Sequence, residues 1–211
     1  MITVAVVGTL VVHNLLTNLW FSDRWYVPVN LATAGLLVVV GGRVGGRVGG
    51  CAGCMVGWDG MLVGAAGALI VLMGIALLAV VRRSLLADRR MAGVDARGAA
   101  WRALVRIPLG TVVLEEVAFR GVLAQVLSPV SAAVLFGLWH VLPTVRTLDI
   151  NGLRRSPWVV GGAVWGAVVL TAAVGLVFSG LVAATGSLLA PAMVHVAANS
   201  GATVAAYRVL R

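Results

Sequence analysis

Long stretches of apolar residues without a charge are the feature that most constrains the fold of this chain. The longest runs from Ser156 to Tyr207, and its 52 residues contain no formally charged side chain. A helix needs about 20 apolar residues to cross the core of a bilayer, so this run has room for two spans. Charged residues make up only 11% of the chain, against about 25% in a soluble domain. The sequence therefore predicts an all-α fold, a polytopic transmembrane helical bundle.

Further apolar segments precede this run and add to the predicted spans. The run itself is expected to break near Thr185, where a Thr-Gly-Ser sequence interrupts the apolar residues. Together the segments predict about seven spans, within a range of six to eight. The five candidates before the long run are Ile2–Ser22, Trp25–Gly42, Gly60–Val81, Ile107–Leu127 and Val130–Val145.

The arginines predict the orientation of the bundle. The formal net charge is +9, and all 16 basic residues are arginines. With the N-terminus outside, 13 of them fall on one side of the seven spans and two on the other. The positive-inside rule makes the richer side cytoplasmic, so topology explains the charge and no nucleic-acid partner is expected. We expect a multi-pass protein of the plasma membrane, in contact with the lipid bilayer.

A basic segment, residues 82–106, divides the chain into two parts. Residues 1–81 are expected to form the N-terminal transmembrane spans, and residues 107–211 a second helical bundle that contains the site described below. The segment between them is expected to be a solvated cytoplasmic loop. The alternative is an interfacial helix held by anionic lipid.

Three other groups of residues favour ordinary structural roles. The polar side chains of the first span, His13, Asn14 and Asn18, predict interhelical hydrogen bonds. The many small residues of Gly161–Ala184 indicate close helix packing, with a homo-oligomer as the second interpretation. The CxxC pair Cys51 and Cys54 lies in a glycine-rich stretch without a second CxxC or a nearby histidine, so we expect a loop and no zinc site.

The only two glutamates of the chain are adjacent and lie inside an apolar span. Ionisable side chains in a membrane are costly, and they usually face a polar cavity. On a helix, Glu116 and Arg120 are four residues apart and can form an ion pair. Glu115 lies about 100° around the helix and is left without that partner. A purely structural ion pair is the alternative, but it leaves Glu115 unexplained.

Two histidines in later spans complete a candidate polar site. His140 ends the sequence FGLWH, and His195 begins HVAAN, with Asn199 one turn later on the same face. A single membrane histidine most often forms an interhelical hydrogen bond. Counted from the cytoplasmic arginines at about 1.5 Å per residue, however, Glu115, His140 and Asn199 lie at similar depth. His195 lies somewhat deeper, and the set is expected to converge.

The sequences LEEVAFRG, FGLWH and HVAANS resemble the motifs EExxxR, FxxxH and HxxxN of the CPBP family. These are the CAAX proteases and bacteriocin-processing enzymes, or ABI proteins, with the type II CAAX prenyl endopeptidases among them. The resemblance covers about Gly110–Gly201. It implies an intramembrane endopeptidase with a cavity open to the cytoplasmic side and a membrane-associated peptide or protein as substrate. It does not establish that this substrate is prenylated.

The resemblance also implies a role for each residue at the motif positions. Glu115 would be the base that activates water, and His140 would bind and orient that water. His195 and Asn199 would face the scissile carbonyl and stabilise the oxyanion. The residues that would support the site are Glu116, Arg120 and Phe136.

Both the metal requirement and the function have alternative interpretations. Zinc could use Glu115, His140 and His195 with water in the fourth position, but HExxH is absent. We favour chemistry without a metal or other cofactor, with a zinc-dependent form of the same protease as the alternative. A non-enzymatic membrane immunity or scaffold protein is a further hypothesis. A proton-coupled transporter is less favoured, because the sequence shows no inverted repeat.

Overall fold

Helices form all of the regular secondary structure in this computed structural model, which describes residues 2–45, 57–154 and 156–211. The predicted all-α fold is confirmed for these ranges. The glycine-rich stretch that contains Cys51 and Cys54 lies outside them. In chain order the longer helices are α1 (Ile2–Leu19), α2 (Asp23–Gly45), α3 (Trp58–Val81), α4 (residues 96–126), α5 (Pro129–Trp139), α6 (Val141–Ile150), α7 (Pro157–Thr185) and α8 (Leu189–Val209).

Several of these helices are suited to a membrane by length and composition. Four segments are long and apolar enough to cross one, and α1 contributes a shorter apolar helix, Thr3–Leu19. The chain is thus a polytopic membrane protein, while the count of about seven spans stays a prediction. The four segments are Asp23–Gly41, Trp58–Val81, Pro129–Ile150 and Pro157–Thr185.

Local sequence sets the ends of the helices that carry the site. Gly186 has φ +65°, a left-handed conformation that glycine adopts without strain, and it ends α7 within the predicted Thr-Gly-Ser break. Ser128 begins α5, where its hydroxyl accepts a hydrogen bond from the Ser131 N–H. Ser156 begins α7 in the same way, through the N–H of Trp158.

The helix that carries both glutamates begins earlier than the sequence indicated. Asp95 caps its start by accepting from the Gly98 N–H, so residues 96–106 are the first turns of α4 and not a loop. Two stretches of α4, Arg102–Val112 and Glu116–Leu123, have the wider turn of a π-helix. Such turns are rare and occur frequently at functional sites. Pro108 lies in the first stretch and lacks the N–H that a regular turn would use.

The segment before α4 is tied to the end of α6. Asp88 accepts hydrogen bonds from Arg90 at 2.7 Å and from the Asn151 side chain at 3.2 Å. Asn151 in turn accepts from the Arg89 N–H at 2.9 Å. Partial burial opposes the charge of Asp88, but the hydrogen bonds outweigh it and hold the pKa of Asp88 below its usual value. These bonds fix the basic segment against the bundle at one end.

Polar side chains join α1 to its neighbours. The His13 Nε2–H donates to Asn30 Oδ1 on α2 at 3.0 Å, and the Asn14 amide donates to the Trp139 carbonyl on α5 at 2.9 Å. The predicted interhelical bonds of His13 and Asn14 are therefore confirmed. For Asn18 the prediction was wrong, because its amide reaches back one turn to the carbonyl and side chain of Asn14 on the same helix.

Small residues allow close packing at some contacts of α7 but not at others. A Cβ built on Gly137 of α5 would lie 2.6 Å from the Val168 carbonyl oxygen of α7. Gly175 is packed similarly against Ala133 and Phe136. By contrast, a Cβ on Gly166 would meet nothing within 4 Å. Close packing is thus confirmed at only part of the small-residue stretch, on the side that faces α5.

This contrast predicts different effects of the same substitution. Gly137→Ala should lower the stability by about 1–3 kcal/mol, because the added methyl group must displace a backbone carbonyl. Gly166→Ala is the matched control and should leave the melting temperature unchanged or raise it slightly, since alanine favours helix. Thermal unfolding of both variants in the same lipid–detergent mixture checks this. Equal melting temperatures would contradict the packing between α5 and α7.

Candidate active site

The candidate site lies where α4, α5 and α8 meet. α4 supplies the two glutamates and Arg120, α8 supplies His195, and the end of α5 supplies Trp139 and the adjacent His140. The charged groups are deeply buried: Glu115 is 6% exposed and Arg120 is 2% exposed. Neither therefore faces the lipid, and each must find its polar partners inside the protein.

Glu116 is held by two donors from two helices. The Arg120 Nη1 donates to Glu116 Oε1 at 3.2 Å, which confirms the ion pair that the four-residue spacing predicted. The His195 Nδ1 lies 2.8 Å from the same oxygen. Because Glu116 Oε1 can only accept when ionised, the shared proton belongs to the histidine. Glu116 Oε1 is thus occupied in fixing Arg120 and His195, while Glu116 Oε2 has no hydrogen-bond partner among the described residues.

Aromatic rings enclose the guanidinium of Arg120. Its Cζ lies 4.1 Å from the centre of the Phe136 ring and 5.0 Å from that of Phe178. The ring faces attract the positive charge while excluding water from it. Phe136 therefore supports the site through Arg120, and Phe178 of α7 is a contributor that the sequence motifs did not reveal.

Glu115 has one oxygen that is bonded and one that is not. Its Oε1 accepts from the Trp139 indole N–H at 2.9 Å. Its Oε2 lies 3.5 Å from His195 Nε2 and has no hydrogen-bond partner among the described residues. When the His195 ring carries two protons, its Nε2–H can pair with Glu115 Oε2; when it carries one, on Nδ1, the Nε2 presents a lone pair. Two acceptors then face each other, an arrangement that suits a water molecule donating to one of them.

His140 is fixed in a different way. Its Nδ1 lies 2.7 Å from the Phe136 carbonyl, which can only accept, so the proton is on Nδ1 and Nε2 is open. The Phe136 ring lies edge-on to both histidines, with centroids 4.7 Å from His140 and 6.1 Å from His195. Within the described residues, no hydrogen bond or ion pair joins His140 to Glu115 directly.

Asn199 is near the site but does not bond to it. It lies one turn after His195 on α8 and is half-buried. Its carbonyl accepts from the Thr203 hydroxyl at 2.8 Å, and no hydrogen bond of its side chain occurs among the described residues. The neighbouring Ser200 hydroxyl donates to the Ala103 carbonyl at 2.7 Å, which ties α8 to α4 at this level.

Trp139 is a second site residue, after Phe178, that the sequence motifs did not reveal. The motif in FGLWH predicts roles for the phenylalanine and the histidine but none for the tryptophan between them. A signal was available, because a buried indole N–H usually finds an acceptor and Glu115 is one of few in these spans. The direction of the side chain, however, depends on how α5 meets α4.

The three predicted zinc ligands do not form a ready metal site. In the part of the chain that the structure describes, no three histidine, cysteine, aspartate or glutamate side chains are arranged to hold a metal ion. Glu115 Oε2 and His195 Nε2 approach each other, but His140 does not complete the set. A catalytic zinc site needs three protein ligands, so this arrangement does not fit one.

Together, the fold and the site define a class of protein, a helical membrane protein with a buried glutamate–histidine centre. Residues 97–201 match the family model described as "Type II CAAX prenyl endopeptidase Rce1-like", and through these residues the chain belongs to that family. The resemblance drawn from the three motifs is thereby confirmed. The match includes every site residue and excludes α1, α2 and α3. Comparison with curated proteins and with solved structures found no match.

The buried ion pair predicts a large loss of stability when Arg120 is replaced. Arg120→Met should lower the stability by about 3–5 kcal/mol, because Glu116 is then left charged and buried without its partner. The control is Arg154→Met, which removes an exposed ion pair with Asp149 and should cost about 1 kcal/mol or less. Both are measured by thermal unfolding under one set of conditions. Equal losses would mean that Glu116 does not depend on Arg120.

Proposed function

We propose that the protein is an intramembrane endopeptidase that hydrolyses a peptide bond of a membrane-associated protein or peptide with water activated by Glu115. The observation that carries the proposal is the unbonded Glu115 Oε2, buried and 3.5 Å from His195 Nε2. The family match supports peptide-bond hydrolysis as the reaction. The substrate class follows from the membrane location.

In the proposed reaction Glu115 is a general base. Its Oε2 takes a proton from a water molecule, and the hydroxide attacks the carbonyl carbon of the scissile bond. The protonated carboxyl group then gives this proton to the leaving amine, which restores the carboxylate. The His140 Nε2, which is an acceptor, receives the second hydrogen of the water and orients its lone pair toward the carbonyl.

In this proposal, His195 and Asn199 of α8 stabilise the oxyanion. The developing negative charge needs hydrogen-bond donors fixed before the reaction. The Asn199 amide is always a donor, and it is available for the substrate because no described residue forms a hydrogen bond with it. For the His195 Nε2 to donate to the oxyanion, the ring first takes up a second proton from solvent, while Glu116 accepts from Nδ1.

We also propose a multi-pass orientation in the plasma membrane with the active site open toward the cytoplasmic side. The start of α4 carries Arg102 and Arg106 and continues directly to Glu115. Counted along α4, Glu115 lies about two to three turns from this basic end. The positive-inside rule assigns the basic end to the cytoplasm, so a substrate would reach the site from that side.

The substitution Glu115→Gln tests most directly whether Glu115 acts as the general base. The amide keeps an oxygen for the Trp139 N–H but takes no proton from water, so kcat should fall by about 10²–10⁴-fold with an unchanged melting temperature. The assay follows a quenched fluorescent farnesylated CAAX peptide and its unprenylated form in lipid vesicles. Asp149→Asn, which changes an exposed carboxylate, is the control and should retain full activity.

The same variant separates the protease from a non-enzymatic membrane protein. Membrane-associated peptide termini are compared in cells that carry the wild-type chain and in cells that carry Glu115→Gln. A protease leaves termini that only the wild type produces, and these identify the substrate. Identical termini, together with unchanged cleavage of the peptide by the purified variant, would contradict the proposal.

Metal removal tests the zinc-dependent alternative. Because Glu115 and the two histidines do not form a three-ligand set, the purified enzyme should keep its activity after exhaustive treatment with EDTA. Metal analysis of the active fraction should find less than one zinc ion per chain. Loss of activity that added zinc restores would support the zinc-dependent protease instead.

A further inference from the structure

The two N-terminal helices lie outside the family match, yet α1 reaches the candidate site through Trp139. We propose that Trp139 is a positioning residue that fixes the orientation of the Glu115 carboxylate, and that α1 holds Trp139 in place. The proposal rests on the proposed function, because it assigns Trp139 a role in aligning the base. It goes beyond the three family motifs to a residue and a helix that they do not include.

The hydrogen bond to Glu115 is the first observation. The Trp139 indole has one N–H and no acceptor, so it can bind a carboxylate oxygen in one direction only. It occupies Glu115 Oε1 at 2.9 Å, and the other oxygen is thereby turned to His195 Nε2. A carboxylate that lacked this bond could rotate about its last torsion, which is broad in glutamate. The bond therefore fixes the plane of the carboxylate and holds one of its oxygens toward His195 Nε2.

Rings on two sides restrict the indole itself. The His13 ring of α1 is stacked on it, with centroids 6.2 Å apart and planes 12° apart. The Phe119 ring of α4 meets it edge-on at 5.7 Å and 72°. The indole thus lies between α1 and α4, and it cannot turn its N–H away from Glu115 without breaking one of these contacts.

The backbone of Trp139 is fixed by a second contact from α1. In a continuous helix its carbonyl would accept from the N–H four residues later, but that residue is Pro143, which has none. The Asn14 amide donates to this carbonyl at 2.9 Å instead. The helix break that places His140 therefore leaves a vacant carbonyl, and α1 supplies its donor.

The α1 residues are themselves anchored to α2. His13 is 6% exposed and Asn30 is 3% exposed, and the two are joined by a hydrogen bond of 3.0 Å. The Asn30 amide also donates to the Tyr26 carbonyl of its own helix. Buried polar groups in an apolar helix are costly, and here they serve to hold the ring that rests on Trp139. A continuous set of contacts thus joins α2, α1, Trp139 and Glu115.

The first experiment removes the hydrogen bond and little else. Trp139 is replaced by β-(3-benzothienyl)alanine, in which sulfur takes the place of the indole N–H. Cleavage of the farnesylated peptide should show a kcat reduced by about 10- to 100-fold, the usual effect of losing a bond to a charged group. KM should remain at its wild-type value, and the melting temperature should fall by only a few degrees, because Glu115 Oε1 loses its donor inside the protein.

The control introduces the same analogue at Trp165, which is on α7 and 70% exposed. It should leave kcat and KM unchanged. A Trp139 analogue with wild-type kcat would overturn the positioning role. A fall in melting temperature that accounts for the lost activity would also overturn it, because the role would then be structural.

The second experiment tests whether α1 holds Trp139 in place. Asn14→Ala should lower kcat several-fold in the wild-type chain but have no further effect once Trp139 carries the analogue, since both changes act through one contact. Thr17→Val is the control, because the Thr17 hydroxyl bonds to the His13 carbonyl within α1. Independent, multiplicative losses would show that α1 does not act through Trp139.

A third measurement requires no substrate. With ¹⁵N-labelled tryptophan in lipid nanodiscs, Glu115→Gln should move the Trp139 indole N–H resonance upfield and leave those of the other six tryptophans in place. An unmoved Trp139 resonance would overturn the inference. If the wild-type chain cleaves no peptide, the proposed function fails, and this measurement still decides whether Trp139 holds Glu115.

Discussion

The pairing of Glu116 with Arg120 is the interaction on which the rest of the site depends. Two carboxylates side by side in a bundle of apolar helices would repel each other and lack solvation. Arg120 and His195 both bind Glu116, and this pairing offsets the burial of that charge. Glu115 Oε2 has no hydrogen-bond partner among the described residues and lies 3.5 Å from His195 Nε2. The adjacent glutamates thus differ in their partners, because Arg120 pairs with Glu116 and the Trp139 indole donates to Glu115.

Interruptions of regular helix place these groups. α4 changes to the wider π-helical turn just after Glu115, at the point where its side chains meet α5 and α8. α5 ends at Trp139, and Pro143 prevents the chain from continuing as one uniform helix. The break presents His140 on one side and the Trp139 indole on the other. Features that would weaken an ordinary transmembrane helix therefore supply Trp139, which donates to Glu115, and the adjacent His140.

Sequence alone predicted the features that depend on local pattern. The length of the apolar segments predicted the helices, and a glycine predicted the end of α7. The four-residue spacing of Glu116 and Arg120 predicted their ion pair. It did not predict that Trp139 bonds Glu115, that Phe136 lies between the two histidines, or that α4 begins at residue 96. Periodicity indicates which face of a helix is polar, but the partner on that face depends on how separate helices cross. The bond of Asn18 to its own helix shows the same limit.

Whether water itself attacks the substrate is the central claim, and oxygen labelling tests it most directly. A single turnover is run with excess enzyme in water enriched in ¹⁸O, and the new C-terminal carboxylate of the cleaved peptide is analysed by mass spectrometry. A glutamate that activates water leads to one ¹⁸O atom in this first product. A glutamate that attacks the carbonyl itself would transfer its own oxygen, so a first product containing only ¹⁶O would contradict the role proposed for Glu115.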